Sequence, residues 1–403
     1  MYSLKQILRR MNHLLQYLII VTLQSAGNIF YHSSPKMGDL EDGAPKILVI
    51  RLDEIGDMVM MSSFLRELRR NYPTAHITLV VNLEVYNLVE LCPYVDETLN
   101  FPRRGGRYSF YRNLWSAVLF SYRYLKKEHY ELALVPRFDA DTGYGAGMLA
   151  FLSGAKKRVG YSECVLPHKM ISDKGYDGFY TRLLFSKTAV VSHEVERNLD
   201  VLRCIDGYIA DDSLEVWFDD ADRDKCRGML SSLRDVEVKI VLSISSGSSK
   251  REWLAEKFIE LIKELAPLKN IAWVIVGAGE RAVTNAREIE KVCPFVINLV
   301  NQTTLRETAA IIDACDIYLG GDTGLMHIAA ALKKTGVVIS CHPIGADEDH
   351  ANSPKRFGPW KSPMQIVRPR ALPGCEHGCN REDAHCIREI SVEDVKRQVL
   401  LLL

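Results

Sequence analysis

Short apolar runs alternate with amphipathic stretches along most of the chain. Lys46–Leu52 (KILVIRL) is apolar almost throughout, with a basic tip, as expected of a strand covered on both faces. Helical spacing follows over Met58–Arg70, then a second strand at His76–Val81. A strand at Leu132–Pro136, a helix at Tyr144–Leu152 and a helix around Glu194–Leu202 complete the first half. Strand patterns resume at Val238–Ile244, Ile271–Val276, Phe295–Leu299, Ile317–Leu319 and Gly336–Ser340. Helices are predicted among them at Ala255–Leu265, Arg281–Lys291, Leu305–Asp313 and Leu325–Leu332. Two successive βαβα runs predict an α/β protein with two doubly wound parallel sheets. Polar residues interrupt the alternation near Cys204–Asp219, so the expected units are residues 46–205 and 206–403, the second closing on a C-terminal helix.

Residues 1–45 differ from the rest. Lys5, Arg9 and Arg10 precede an uncharged stretch from Met11 to Pro35, whose apolar heart is Leu14–Leu23. Leu4, Ile7, Leu8, Met11, Leu14, Leu15 and Leu18 recur at helical spacing. The leading reading is an amphipathic helix lying on an anionic membrane face, with peripheral contact through residues 1–34. A true span or cleaved signal, and a helix packed on the protein's own surface, stay open. Gly38–Pro45 reads as a linker.

Composition narrows the class. Hydrophobic residues make up 47% and charged residues 25% of 403, which excludes a disordered chain. Lys+Arg and Asp+Glu are both 51, so no net field steers nucleic acid toward it. Ten cysteines are too dilute for a disulfide scaffold. Seven are scattered singly and read as free thiols. Cys375, Cys379 and Cys386, with His377 and His385 nearby, admit a zinc reading. Their spacing departs from paired Cys-x2-Cys sites, so free thiols are the principal reading and no metal ligand is assigned.

In doubly wound sheets, ligands bind where strand ends lead into helix starts. Four such junctions carry chemistry. Arg51-Leu52-Asp53-Glu54-Ile55-Gly56-Asp57 leaves the first strand. Gly56 permits close backbone approach, and Asp57 is either a helix-capping carboxylate or a general base aimed into a cleft. Ser245-Ser246-Gly247-Ser248-Ser249-Lys250-Arg251 offers small residues with open amides and two cations, which suits a phosphate-rich ligand. Gly277-Ala278-Gly279-Glu280 is a weaker Gly-x-Gly turn. Gly320-Gly321-Asp322-Thr323-Gly324-Leu325-Met326-His327 opens a helix whose amides at Thr323 and Gly324 would seat a diphosphate, with His327 alongside. Asp139-Ala140-Asp141 has a metal-binding form, but the same spacing recurs at Asp220/Asp222, Asp222/Asp224 and Asp347/Asp349 and so decides nothing. Gly143, Gly145 and Gly147 read as a cleft-lining loop or tight helix packing.

KILVIRLDEIGDMVMMSSFLRELRRNYP resembles the N-terminal signature of glycosyltransferase family 9, the ADP-heptose–lipopolysaccharide heptosyltransferases. GGDTGLMHIAAAL resembles its second signature, and REWLAEKF, HEVERNLDVL, Arg356-Phe357-Gly358-Pro359-Trp360 and Cys386-Ile387 through Val395 fit in order. The resemblance implies a GT-B fold of two Rossmann-like domains facing across a cleft. It implies an inverting, metal-independent transferase without cofactor, taking a nucleotide-sugar donor and a glycan or lipid-linked acceptor. Asp57 falls on the catalytic base, while Arg251 and Lys250 meet the leaving diphosphate. Gly247, Ser248, Gly277, Glu280, Asp322, Thr323, Gly324 and His327 fall to the donor, and Gly56 and Arg137 to the acceptor. The implied location is cytoplasmic, peripheral on the inner face of the cytoplasmic membrane. A related transferase with another nucleotide-sugar or a protein acceptor, or a non-catalytic nucleotide-sugar-binding module, is the alternative. The chain departs from the family pattern at Arg251, where a Lys is usual, at Leu254 for Pro, and at Asp53-Glu54, which add negative charge beside Asp57.

Overall fold

The apolar runs build two six-stranded sheets. The computed structural model describes residues 4–30, 44–102, 109–141, 143, 145–185, 191–233, 235–375 and 385–403. The first sheet comprises β1 (Lys46–Arg51), β2 (His76–Asn82), β3 (Glu97–Phe101), β4 (Leu132–Val135), β5 (Lys157–Tyr161) and β6 (Arg182–Leu184). The second comprises β7 (Val238–Ser243), β8 (Ile271–Val276), β9 (Ile297–Asn298), β10 (Ile317–Gly321), β11 (Thr335–Ile339) and β12 (Met364–Val367). Strand orders are β3-β2-β1-β4-β5-β6 and β12-β11-β10-β7-β8-β9. Every pairing is parallel, with Ile47 opposite both Ile77 and Leu132, and Ile317 opposite both Ile240 and Thr335. Counted within each half, the two orders are the same doubly wound pattern. Its crossover point lies between β1 and β4 in one sheet and between β7 and β10 in the other.

Alternation within the strands divides the cores. Leu48, Ile50 and Leu52 face a layer built from Phe101, Phe120, Leu149 and Phe151. Ile47 and Val49 face the opposite way. That second layer also takes in Val241, Val274, Tyr318, Met326 and Ile328 of the other half, so one apolar core runs beneath both. Ile240, Leu242, Trp273 and the C-terminal helix Val392–Leu400 close the far side of the second sheet.

Four strands lie outside the apolar runs of the sequence. β5 opens with Lys157-Arg158 yet is buried throughout, because the Arg158 guanidinium donates to the Phe179 and Ala155 carbonyls at 2.7 and 2.8 Å. β3, β6 and β12 are short and partly exposed. The helix expected over Met58–Arg70 starts earlier, at Ile55, and breaks at Met61 into Ile55–Met60 and Ser62–Asn71. The strand expected over Phe295–Leu299 narrows to β9.

The N-terminal region forms a helix over Leu4–Phe30. No described helix is long and apolar enough to cross a membrane. One side of the N-terminal helix rests on the protein itself. Ile20 is buried, and Gln24 Nε2 donates to the Gly175 carbonyl at 2.8 Å. A Cβ on Gly178 would collide with the Gln24 side chain, so that glycine lets the helix come close. Met11, Leu14, Leu15, Leu18 and Val21 remain exposed. Most of the expected linker, Gly38–Asp42 with Gly43, lies outside the described residues.

Candidate active site

The two crossover points face each other over a cleft of about 580 Å³. On the first side, the end of β1 supplies Arg51, Asp53, Gly56 and Asp57, and the end of β4 supplies Arg137 and Asp139. On the second, the end of β7 supplies Gly247 and Arg251, and the end of β10 supplies Asp322, Thr323, Gly324 and His327.

Asp57 occupies the first turn of the helix Ile55–Met60 without capping it. Its Oδ1 instead accepts from Arg51 Nη2 at 2.9 Å, and a quarter of the side chain remains open to solvent. Arg51 is itself buried and held on every side. Its Nε pairs with Asp53 Oδ2 at 2.6 Å, and its Nη1 donates to Asn198 Oδ1 at 3.0 Å and to the Pro136 carbonyl. Asn198 Nδ2 in turn donates to the Met60 carbonyl at 3.2 Å. A guanidinium fixed by this many partners fixes the carboxylate that it holds. Arg137 pairs with the other oxygen of Asp53 and bonds the Ala140 carbonyl. The charge of Asp53 is therefore shared with two guanidiniums.

The opposite wall starts from β10. The helix Gly324–Ala331 begins at Thr323 with no side-chain cap, and its N-terminus points toward the first half. The approach is close at two glycines. A Cβ on Gly324 would stand 2.7 Å from Ile55 Cβ, and one on Gly56 would stand 2.7 Å from His327 Cδ2. Burial pushes the Asp322 carboxyl up to about 6, although Arg251 favours its charged form. Burial, reinforced by His193 and Arg251, pulls His327 down to about 3, so its imidazole is neutral. Its Nδ1 is buried without a hydrogen-bond partner.

The serine loop differs from the expectation of open amides. Ser246 N donates to Glu252 Oε1 at 2.9 Å, Ser248 N to Ser246 Oγ at 3.1 Å, and Lys250 N to Ser248 Oγ at 3.4 Å. These bonds wind the loop into the turn Ser249–Arg251, which brings Arg251 to the cleft. Lys250 and Ser248 do not line the cleft, nor do Gly277 and Glu280. The latter two sit at the end of β8, where Gly277 adopts φ 145° and Glu280 starts an exposed helix face. Asp141 is a cap: it accepts from Ala146 N at 2.7 Å and from Gly147 N at 3.3 Å. Gly147 serves tight packing, since a Cβ there would meet Tyr176 at 2.7 Å.

A buried ionic cluster joins the halves beside the cleft. Arg356 Nη2 contacts Asp139 Oδ2 at 2.8 Å and Glu194 Oε1 at 2.7 Å. Arg197 Nη1 contacts Glu194 Oε1 at 2.6 Å, and its Nη2 contacts Asp349 Oδ1 at 3.1 Å. Burial works to raise Asp139, but Arg356 overrides it and holds the carboxyl below its ordinary range. Arg51, Asp139 and Glu194 were not assigned to the site from the sequence. The basic tip of KILVIRL and the HEVERN segment were the available pointers to Arg51 and Glu194.

Two Rossmann-like halves meeting at their crossover points, with a helix N-terminus on one wall and a positioned carboxylate on the other, define a GT-B glycosyltransferase architecture. Residues 123–378, more than half of the chain, match the sequence profile of glycosyltransferase family 9 (heptosyltransferase), and the chain belongs to that family. The lipopolysaccharide core heptosyltransferase OpsX of Haemophilus influenzae is 22% identical over 290 residues, covering 71% of this chain and 76% of that protein. A family 9 glycosyltransferase structure from Veillonella parvula superposes with a TM-score of 0.69 at 18% identity, covering 90% of this chain and 98% of that one. ADP-heptose lps heptosyltransferase II of E. coli gives a TM-score of 0.66 at 20% identity, with coverage of 89% and 98%.

Proposed function

We propose that this glycosyltransferase moves a heptose-like sugar from an ADP-heptose-like donor to a hydroxyl of a lipopolysaccharide or similar glycan, with inversion in one displacement. Residues 46–205 seat the acceptor, with Gly56 and Arg137 beside it, and residues 206–403 seat the donor. Asp57 accepts the acceptor's proton through the oxygen that Arg51 does not hold, as that hydroxyl attacks the anomeric carbon. A positioned base of this kind contributes ~10²–10⁴-fold. Charge then builds on the departing diphosphate. Arg251 and the helix N-terminus at Thr323 and Gly324 meet it, with Asp322 and neutral His327 shaping the pocket floor. Gly247 allows the phosphates to approach the loop, and Ser248, Lys250, Gly277 and Glu280 form the outer rim toward the nucleoside. No metal ion takes part in this step. The observation carrying the reading is the opposition of Asp57 and Arg251 across a single cleft.

Peripheral contact with the inner face of the cytoplasmic membrane belongs to the same proposal. The exposed apolar side of the N-terminal helix supports it. So do exposed Trp115, Leu119 and Tyr122 at helical spacing, on a neighbouring segment tied to that helix by Tyr111 OH donating to Asn12 Oδ1 at 3.1 Å. Aromatic rings with flanking cations suit a headgroup layer.

A thermal-shift panel of nucleotide-sugars, followed by assay of nucleoside diphosphate release with and without glycan acceptor, tests the reading. ADP-heptose should raise Tm most and release ADP only when acceptor is present. Stabilisation without release on any acceptor would identify a binding module instead.

A further inference from the structure

Cys375, His385 and Cys386 converge at a place that does not line the cleft. Their ligating atoms all lie within 4.8 Å of one another. Cys375 Sγ is 2.8 Å from His385 Nε2, and the two cysteines are 3% and 2% exposed. Among the described residues, no other set of three His, Cys, Asp or Glu side chains converges in this way. His377 and Cys379, also of ligating type, lie outside the described residues. Tetrahedral zinc, with Zn–S near ~2.3 Å and Zn–N near ~2.0–2.1 Å, sets its ligand atoms roughly 3.5–3.8 Å apart. The trio is gathered close to that spacing, and Cys375 Sγ and His385 Nε2, now at a hydrogen-bond distance of 2.8 Å, would part to admit the ion. Two buried thiols and an imidazole are the donor types that such an ion selects.

The cluster has mechanical consequences. Cys386 opens the turn Cys386–Glu389, which carries Ile387 into the second core. The adjoining Ile390 carbonyl accepts from Trp253 Nε1 at 3.1 Å and from Lys257 Nζ at 2.7 Å. Trp253 is buried and lies two residues beyond Arg251. Whatever holds Cys386 therefore holds the floor under the cation that faces the cleft.

We propose that Cys375, His385 and Cys386 bind one zinc-class divalent ion, which clamps the turn at 386–389 and so positions Trp253 and the Arg251 turn. The two thiols bind as thiolates and release their protons when the ion enters. The ion sits outside the cleft and takes no part in glycosyl transfer; its binding stands independently of the function proposed above, and only its effect on donor KM rests on that reading.

The test is elemental analysis of the full chain, purified under reducing conditions without chelator or a metal-binding tag and then incubated with zinc and dialysed. One bound ion per chain is expected, in the wild type and in Cys164→Ser, an exposed cysteine outside the site. Cys375→Ser and Cys386→Ser should lose it. Cobalt reconstitution of the wild type should give a thiolate-to-metal charge-transfer band, which does not depend on any variant folding. Where those variants fold, the donor KM should rise more than kcat falls. A wild type that retains no ion and gives no such band overturns the proposal. So does a Cys375–Cys386 disulfide found by peptide mapping of the reduced preparation, or retention of the ion by both serine variants.

Discussion

At the scale of single residues, the account rests on which side chains have spare capacity. Arg51 has little: its guanidinium is engaged by Asp53, Asp57, Asn198 and the Pro136 carbonyl, which suits it to orienting Asp57. Arg251 pairs with no carboxylate among the described residues and borders the cleft. Lys250, its neighbour in sequence, does not line the cleft. Arg251→Ala should therefore lower kcat/KM by ~10²–10³, the scale for removing one group that meets transition-state charge. Lys250→Ala should stay near wild type in the same assay, and equal losses would place the phosphates farther out. Arg251→Lys should recover part of the rate, because a point charge replaces a bidentate fork. The sequence made Asp57, Arg251 and the Asp322–His327 run legible, because each sits where a strand pattern hands over to a helix pattern. Asp139, Glu194 and Arg356 were not legible as a cluster. They are 55 or more residues apart in sequence, and only tertiary packing selects their partners.

Elements meet across the cleft on two glycines. The helices Ile55–Met60 and Gly324–Ala331 come together where Gly56 leaves room for the His327 ring and Gly324 for Ile55. Gly56→Ala should cost ~1–3 kcal/mol, the range for overpacking, read as a fall in Tm. It should also reduce transfer by parting the two walls. An unchanged Tm would mean that the imidazole yields freely. The N-terminal helix is a different kind of element, docked along one side and exposed along the other. Deleting residues 1–38 should shift the protein from the membrane pellet to the supernatant on fractionation, and retention in the pellet would discard membrane contact through this helix. Periodicity revealed the central strands because both of their faces are apolar. It missed β5, whose buried Arg158 is satisfied by carbonyls that no local pattern announces.

At the scale of the molecule, the two halves are held together by a polar seam. Arg356 bridges to Asp139 and Glu194, Arg197 to Asp349, and Arg306 to Glu90 at 3.1 Å. His193 belongs to this seam. Its Nδ1 accepts from Val195 N at 3.2 Å, its Nε2 lies 3.0 Å from the Gly358 carbonyl, and its ring packs on Trp360. The neutral ring, protonated on Nε2, satisfies both bonds, and a second proton would oppose the Val195 amide. Burial lowers the group from 6.5 to about 4. Between those values the unfolded chain binds more protons than the folded one, so stability falls as pH drops from 6.5 toward 4. Asp322 and Asp173, raised by burial to about 6, contribute the opposite slope between about 6 and 3.8. A single variant isolates the histidine's share. The Tm gap between wild type and His193→Gln should narrow from pH 7 to pH 5, and a constant gap would remove His193 from the acid response.

The central claim concerns a base on one wall and a cationic, amide-lined seat on the other. Asp57→Asn measures both at once when donor binding is followed by calorimetry and transfer by single-turnover kinetics. Donor affinity should stay close to wild type while the transfer rate falls by ~10²–10⁴. Undiminished transfer would contradict the role given to Asp57, and lost donor affinity would contradict the division of labour between the two walls.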